Sequence, residues 1–503
     1  MPEKNNHNYD ILVAGAGFAG SLMALILHNI GFRVCLVEKG QHPRFAIGES
    51  STPIADMLLR RLSKQYDMPW LAHFSRYGSW QQAHPEVVCG IKRGFSYFKH
   101  HPGKEFTTDA NHINELLVAA STDDMQSDTN WLRADFDAFL VTKVKEANID
   151  YFDLTEIVQA ERIDKWKFYV KGDKSAEIIA NFFIDATGSG GLLEKMLGIK
   201  SSSDGFLTNS FAVFSHFNNV PRWMDTLQKT GIPTGDFPYD PDHSALHQIL
   251  DEGWLWMLRF NNERTSLGFA LNGKKNDFDN MPAEQIWNEM LNKYPSLYKL
   301  LKDVPLSAQP GRIIKSGRLQ RKAERCFGDG WLALPHTVGF VDPLFSSGIA
   351  HSLSGIVTTA HLLQQYWGNN NELYHNLALY EDSVFEELKF IDQLVAGCYQ
   401  TMDNFGLFNA WTMLYFAAII QYEQLLLQNK PPSYFLGADN PEMRNMVNLC
   451  YRELMQIINK QSVTTEDVNW FTASVRQRIA PVNIAGLLDP VLKNMYQHTA
   501  VNI

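Results

Sequence analysis

The chain is predicted to be an α/β protein: a Rossmann-like nucleotide-binding unit, an antiparallel sheet and a helical C-terminal region. Three observations predict this. An apolar strand near the N-terminus runs into glycines spaced G-x-G-x-x-G. Aromatic, alternating segments separated by loops fill residues 206–309. From Thr358 onward the pattern is mainly helical.

The first element is the stretch YDILVAGAGFAGSLMALILHNIGFRVCLVEK, residues 9–39. Residues 11–14 make one buried strand. Gly15 allows the tight turn off it, Gly17 lets a diphosphate approach the helix N-terminus, and Gly20 lets the helix pack on the strand. A second strand, 33–37, ends on Glu38, placed to accept hydrogen bonds from an adenosine ribose. Strand, helix, strand and terminal acid stand in register, which specifies a dinucleotide site more strongly than the glycines alone.

Bulk properties narrow the class. With 503 residues the chain should hold two or three domains. Its 45% hydrophobic and 20% charged residues are ordinary for a globular protein. A formal net charge of −10 and the lack of a basic run argue against general nucleic-acid binding. The start MPEKNNHN is polar and leads straight into the first strand, without a secretory pattern. The longest apolar stretch, around 406–420, is too short and aromatic for a transmembrane helix. Cys35, Cys89, Cys326, Cys398 and Cys450 are scattered without a C-x-x-C pair. They read as reduced thiols in a cytoplasmic protein with no metal site.

The remaining elements follow in order. HPRFAIGESSTP, 42–53, leaves the first unit and re-enters helix over 54–62, with Ser50, Ser51 and Thr52 as N-cap candidates. Alternation across 91–98 predicts one strand with Lys92 and Gly94 on a common face, glycine leaving the lysine uncovered. Residues 128–147 are predicted as a helix burying Phe136, Leu140 and Val144, with Arg133 near its start and in reach of a phosphate. Segments 151–170 and 177–185 read as strands, the second ending in IDATGSGG. FAVFSHF, GWLWMLRF and TSLGFAL supply the antiparallel sheet. The α/β pattern returns at Gly328, and helices follow with a loop near 431–441.

With these motifs in view, the sequence resembles the flavin-dependent halogenases, whose fold is that of the class A flavoprotein monooxygenases. The Gly15–Glu38 fingerprint and the IDATG turn with Asp185 and Gly188 are common to such flavoproteins. RFAIGESSTP, carrying Glu49, is similar to the family's R-F-x-I-G-E-S segment. GFVDPLFSSGI, 339–349, matches its flavin-side loop, and CGIKRGFSYF, 89–98, its lysine segment. The family's W-x-W-x-I-P motif falls on Trp254 and Trp256, with Arg259 in place of proline. The Gly-Asp of the monooxygenases is replaced by Pro335 and His336, which weakens a hydroxylase reading. Phe345 stands where the tryptophan-type enzymes have glutamate, as in the phenol and pyrrole types.

The resemblance implies halogenation of an electron-rich aromatic, with FAD used as FADH2 and a halide ion as co-substrate. It implies cofactor contacts from Gly15, Gly17, Gly20, Glu38, Glu49, Arg133, Asp185, Gly188, Gly339, Asp342 and Pro343. Ser347 and Gly348, at a helix start, are the candidate halide nest. Trp254, Trp256 and Phe345 are candidate pocket residues, and Lys92 the catalytic group that passes hypohalous acid to the ring. Glu49 is also the candidate acid or base, or it orders its loop. No second nucleotide fingerprint is present for NAD(P)H, so a separate NAD(P)H:flavin reductase is expected. The substrate is a small aromatic, free or tethered to a carrier protein. The rival reading is a flavin monooxygenase or dehydrogenase on the same fold. Expected domain limits are 1–64, 105–205 and 310–365 for a discontinuous FAD-binding domain, 65–104 and 206–309 for a substrate-binding sheet domain, and 366–503 for the helical C-terminal region.

Overall fold

Strand His7–Ala14 lies at the centre of a sheet whose parallel part runs Trp331–Ala333, Ala176–Asp185, His7–Ala14, Val34–Val37, Asp150–Phe152. Ile11, Leu12 and Val13 are wholly buried, as a parallel strand covered on both faces requires. The computed structural model describes residues 7–172, 176–275, 278, 280–428 and 434–499. The polar start at 1–6 and positions 431–433 of the expected loop lie outside the described residues.

A second, eight-stranded sheet runs Ile314–Arg318, Ser210–Asn218, Arg264–Asn272, Gly253–Arg259, Ala245–Ile249, Gly94–Lys99, Glu115–Ala119, Met495–Tyr496. Its period-two alternation feeds two cores. Phe98, Leu255, Met257 and Phe269 point to an outer core closed by the helices Trp223–Lys229 and Ala283–Lys293. Phe95, Tyr97, Trp254 and Trp256 point inward, to the core shared with the nucleotide unit and the helix Phe405–Leu427.

Several expected boundaries differ. Residues 91–98 are not one strand: Cys89–Lys92 pairs with Asp128–Trp131 in a small ladder, and Gly94–Lys99 belongs to the large sheet. The break is at Arg93, whose N–H donates to His243 O and whose guanidinium binds Asp124 and Ser121. Gly94 does not leave space beside Lys92; a Cβ there would lie 2.0 Å from Val118 O, so it permits close strand pairing instead. The expected helix at 128–147 begins as strand Asp128–Trp131 and is helical only over Arg133–Glu146, burying Phe136, Leu140 and Val144. Segment 151–170 is divided among Asp150–Phe152, Glu156–Arg162 and Trp166–Lys171. Glu115–Ala119, within 105–205, and Met495–Tyr496, within 366–503, both lie in the large sheet.

Candidate active site

The glycine turn is built by close approach. Gly15 has φ +95°, and a Cβ there would sit 2.6 Å from Ala186 O. At Gly20 it would sit 1.9 Å from Gly15 O. Gly17 differs: its Cβ position is 3.5 Å from Arg133 Nη2 and 3.9 Å from Arg44 Nη2. Two guanidinium groups therefore converge on the start of helix Phe18–Ile30. Glu38 accepts from Ala16 N–H (2.9 Å) and Gly40 N–H (2.8 Å). Burial alone would raise its carboxyl, but the Arg44 charge and these two donors hold it below the usual range. Arg133 is clamped by Asp137 through two 2.9 Å bonds and donates to Ile47 O and Gly48 O.

Several buried polar atoms along this cleft have no partner: both ring nitrogens of His42, Arg44 Nε, Asp185 Oδ2 and His336 Nδ1. Asp185 Oδ1 accepts from the Thr187 N–H and hydroxyl. Burial pushes Asp185 up to about 6 against those bonds. His336 Nε2 meets Ala186 O at 3.1 Å, and burial pushes the ring down to about 4, so it is neutral at physiological pH. Gly188 N–H donates to Thr337 Oγ1. Cationic side chains at a glycine-lined helix start, an acid at the second strand's end and unsatisfied donors between them fit an anionic dinucleotide such as FAD.

The loop from Gly339 to Ser347 closes this end. Asp342 is a brace: it accepts from Ser210 Oγ (2.6 Å), Tyr399 OH (2.9 Å) and Leu344 N–H (3.1 Å). Burial pushes it up to about 6 against those bonds. After Pro343 and Phe345 the chain turns at Ser346, φ +51°, into helix Ser347–Tyr366. A cavity of about 30 Å³ there is lined by His336, Gly339, Asp342, Ser347, Gly348 and His351. Its size suits one small ion or water. Glu49 is buried away from this cavity and bonded to His216 Nε2 at 2.8 Å.

Lys92 is fully buried. Its Nζ donates to Ser51 O and lies 4.1 Å from the Phe95 ring centroid. Burial pushes it down to about 8, opposed chiefly by Asp128. Next to it the sheet's inner face is aromatic: Tyr97 stacks on His247 at 4.8 Å, and His247 meets Trp254 at 4.9 Å. Burial pushes His247 down to about 3. Helix Phe405–Leu427 closes over this face, with Phe408 against Tyr97, Phe416 against Phe95, and Tyr415 stacked on Phe345 at 3.9 Å. The indole N–H groups are spent on framework: Trp254 donates to Tyr399 OH, Trp256 to Ser266 Oγ. Arg259 points elsewhere, bonded to Asp242, Val220 O and Pro221 O.

Sequence reading missed Asp56, Asp128, Asn130, His247 and Tyr415. All are buried around Lys92 or the aromatic face, and both amide atoms of Asn130 are unpartnered. Alternation of Asp128 and Asn130 with Thr129 and Trp131 was the available signal for a strand here. Among the described residues there is no cluster of three or more His, Cys, Asp or Glu placed to hold a metal, and no helix long and apolar enough to cross a membrane.

Fold and cleft together define an FAD-binding oxidoreductase with a buried lysine beside an aromatic face. The family model "Tryptophan halogenase" matches residues 132–406, and the chain belongs to this family of flavin-dependent halogenases. It is 26% identical over 433 residues to monodechloroaminopyrrolnitrin halogenase of Pseudomonas fluorescens, covering 85% of this chain and 74% of that protein. To tetracycline 7-halogenase of Kitasatospora aureofaciens it is 24% identical over 410 residues, covering 80% and 72%. A crystal structure of a halogenase PltM variant in complex with FAD superposes with a TM-score of 0.87 at 25% identity, covering 96% of this chain and 99% of that one.

Proposed function

We propose that the protein halogenates a small electron-rich aromatic of the phenol or pyrrole type, with Lys92 handing the oxidant to the ring. One observation carries this reading: the fully buried Lys92 places its amine over an aromatic ring, that of Phe95. The relatives support the substrate class. They include a tetracycline halogenase, a chlorinase of a pyrrole held on a peptidyl carrier protein, and halogenase PltM crystallised with phloroglucinol. Phe345, with no carboxylate, leaves an apolar surface at the ring site.

Bound reduced FAD, drawn from a separate NAD(P)H:flavin reductase, supplies the oxygen chemistry that converts halide to hypohalous acid. The residues do the rest. Gly15, Gly17, Gly20, Glu38, Arg133, Asp185 and Gly188 hold the cofactor, and Gly339 and Pro343 shape the loop beside it. Asp342 serves this site as a brace, and Glu49 orders its loop through His216. The free N–H groups of Ser347 and Gly348 hold the halide at the small cavity. Lys92 donates a hydrogen bond to the hypohalous oxygen, so that the oxygen leaves as water while the ring gains the halogen and loses a proton. Trp254, Trp256 and Phe345 are fixed walls of the ring site.

Incubation with FADH2, oxygen, bromide and a panel of phenols and pyrroles, free and carrier-bound, should give +Br products by mass. Products of +O mass in their place would assign the protein to the monooxygenases.

A further inference from the structure

Lys92 does not sit alone among apolar groups. Across the small ladder its register partner is Asp128, so the two side chains share a face. Asp56, in the first turn of helix Pro53–Gln65, is also buried and hydrogen-bonds Asp128. Two carboxyl groups in contact require one shared proton, because an ionised carboxylate only accepts. Asp56 Oδ1 and Asp128 Oδ2 have no other partner, and Asn130, next on the same face, offers an unpartnered amide.

We infer that Asp56 and Asp128 are positioning residues for Lys92: Asp56 keeps the shared proton, and Asp128 remains the anion that holds Lys92 as an ammonium. The inference rests on the role given to Lys92 above. The groups facing the trio are Arg60 from the same helix as Asp56, Arg76 from the next segment, Tyr415 from helix Phe405–Leu427 and His247 from strand Ala245–Ile249. Burial raises the carboxyl of Asp56 far above its usual range, with the Asp128 charge adding to it. Asp128 is the register partner of Lys92, so the lysine favours the charge on Asp128 and leaves the proton on Asp56. An ammonium held in this way donates to the hypohalous oxygen without first giving up its proton, and the proton released by the ring has a carboxylate waiting within the ladder.

The geometry gives the two aspartates unequal roles, which substitution can separate. Asp56→Asn mimics the protonated acid and leaves Asp128 charged. Asp128→Asn removes the charge opposite Lys92. The direct measurement is the titration of the Lys92 13Cε signal in protein labelled with [6-13C]lysine and free of flavin, the signal being assigned by its loss in Lys92→Ala. Asp56→Asn should leave the midpoint within about 0.3 unit of wild type, whereas Asp128→Asn should lower it by about 1 unit or more, the effect of losing an adjacent opposite charge. The alkaline limb of single-turnover bromination should move down with it, and Asp128→Glu should restore both. Should Asp128→Asn not fold, Asp128→Ser removes the same charge. An unmoved midpoint on loss of the Asp128 charge, or equal shifts in the two asparagine variants, overturns the inference. Full bromination by Lys92→Ala would overturn the role of Lys92 instead, leaving the titration result standing.

Discussion

At the scale of single residues, Lys92 carries the most. Lys92→Ala should still bind FAD and consume oxygen, while halogenated product falls at least about 100-fold, roughly 3 kcal/mol on the barrier. Lys92→Arg should fail too, since a guanidinium is planar and has a different reach. The same residue sets a pH dependence. Its folded midpoint, about 8, lies below the 10.5 of a free lysine. As the pH rises through about 8 the ammonium is lost, so halogenation should decline on that limb. Stability moves the other way. Between about 8 and 10.5 the unfolded chain binds more protons than the folded one, so unfolding free energy rises with pH across that window. Urea unfolding from pH 7 to 10 should show this rise, and Lys92→Met should flatten it. The candidacy of Lys92 was readable from its segment. Its carboxylate neighbours were not, because a single Asp on a helix such as 53–65 is ordinarily solvated, and only the folding of a distant strand buries it.

Among elements, the glycine turn was readable in full because its chemistry is local: strand, turn, helix and second strand are consecutive. The structure adds a distinction between two glycines. Gly17→Val should abolish FAD binding yet leave the thermal midpoint of the flavin-free protein near wild type, since its Cβ position meets only side-chain ends at 3.5 Å or more. Gly20→Ala should destabilise the fold itself by about 1–3 kcal/mol, the usual cost of overpacking, because the obstacle is backbone. At the start of helix Ser347–Tyr366, a Cβ on Gly348 meets nothing within 4 Å, and proline is tolerated in the first turn of a helix. Gly348→Pro removes an N–H and should lower halogenation far more than flavin oxidation, and a bromide soak should lose its anomalous peak near Ser347. The ladder of Cys89–Lys92 with Asp128–Trp131 was not readable. Its partners are far apart in sequence, and the alternation of 91–98 continues through Arg93 as though nothing ended there. Phe408, Tyr415 and Phe416 pack on the sheet and on Phe345, while Trp411 makes a helix–helix contact through Leu394 O.

For the whole molecule, the unexpected feature is that the end of the chain completes the large sheet. Met495–Tyr496 covers the edge strand Glu115–Ala119, and Thr499 N–H and Oγ1 both donate to Ala119 O. Asn494 accepts from Asn409 on the helix that roofs the aromatic face. Deleting residues 488–503 should expose that edge and give a lower thermal midpoint, with aggregation seen by light scattering at temperatures where FAD is still bound. Composition marks nothing special about this tail, since its value lies in pairing with a strand hundreds of residues away. The division between the small ladder and the large sheet has a further consequence, for how such a protein can diversify. On the role proposed for Lys92, the amine that delivers the oxidant is anchored on one piece of backbone, while Tyr97, His247 and Phe408 stand on others. A lineage can therefore exchange the rings that greet its substrate one at a time while inheriting the delivery step unchanged.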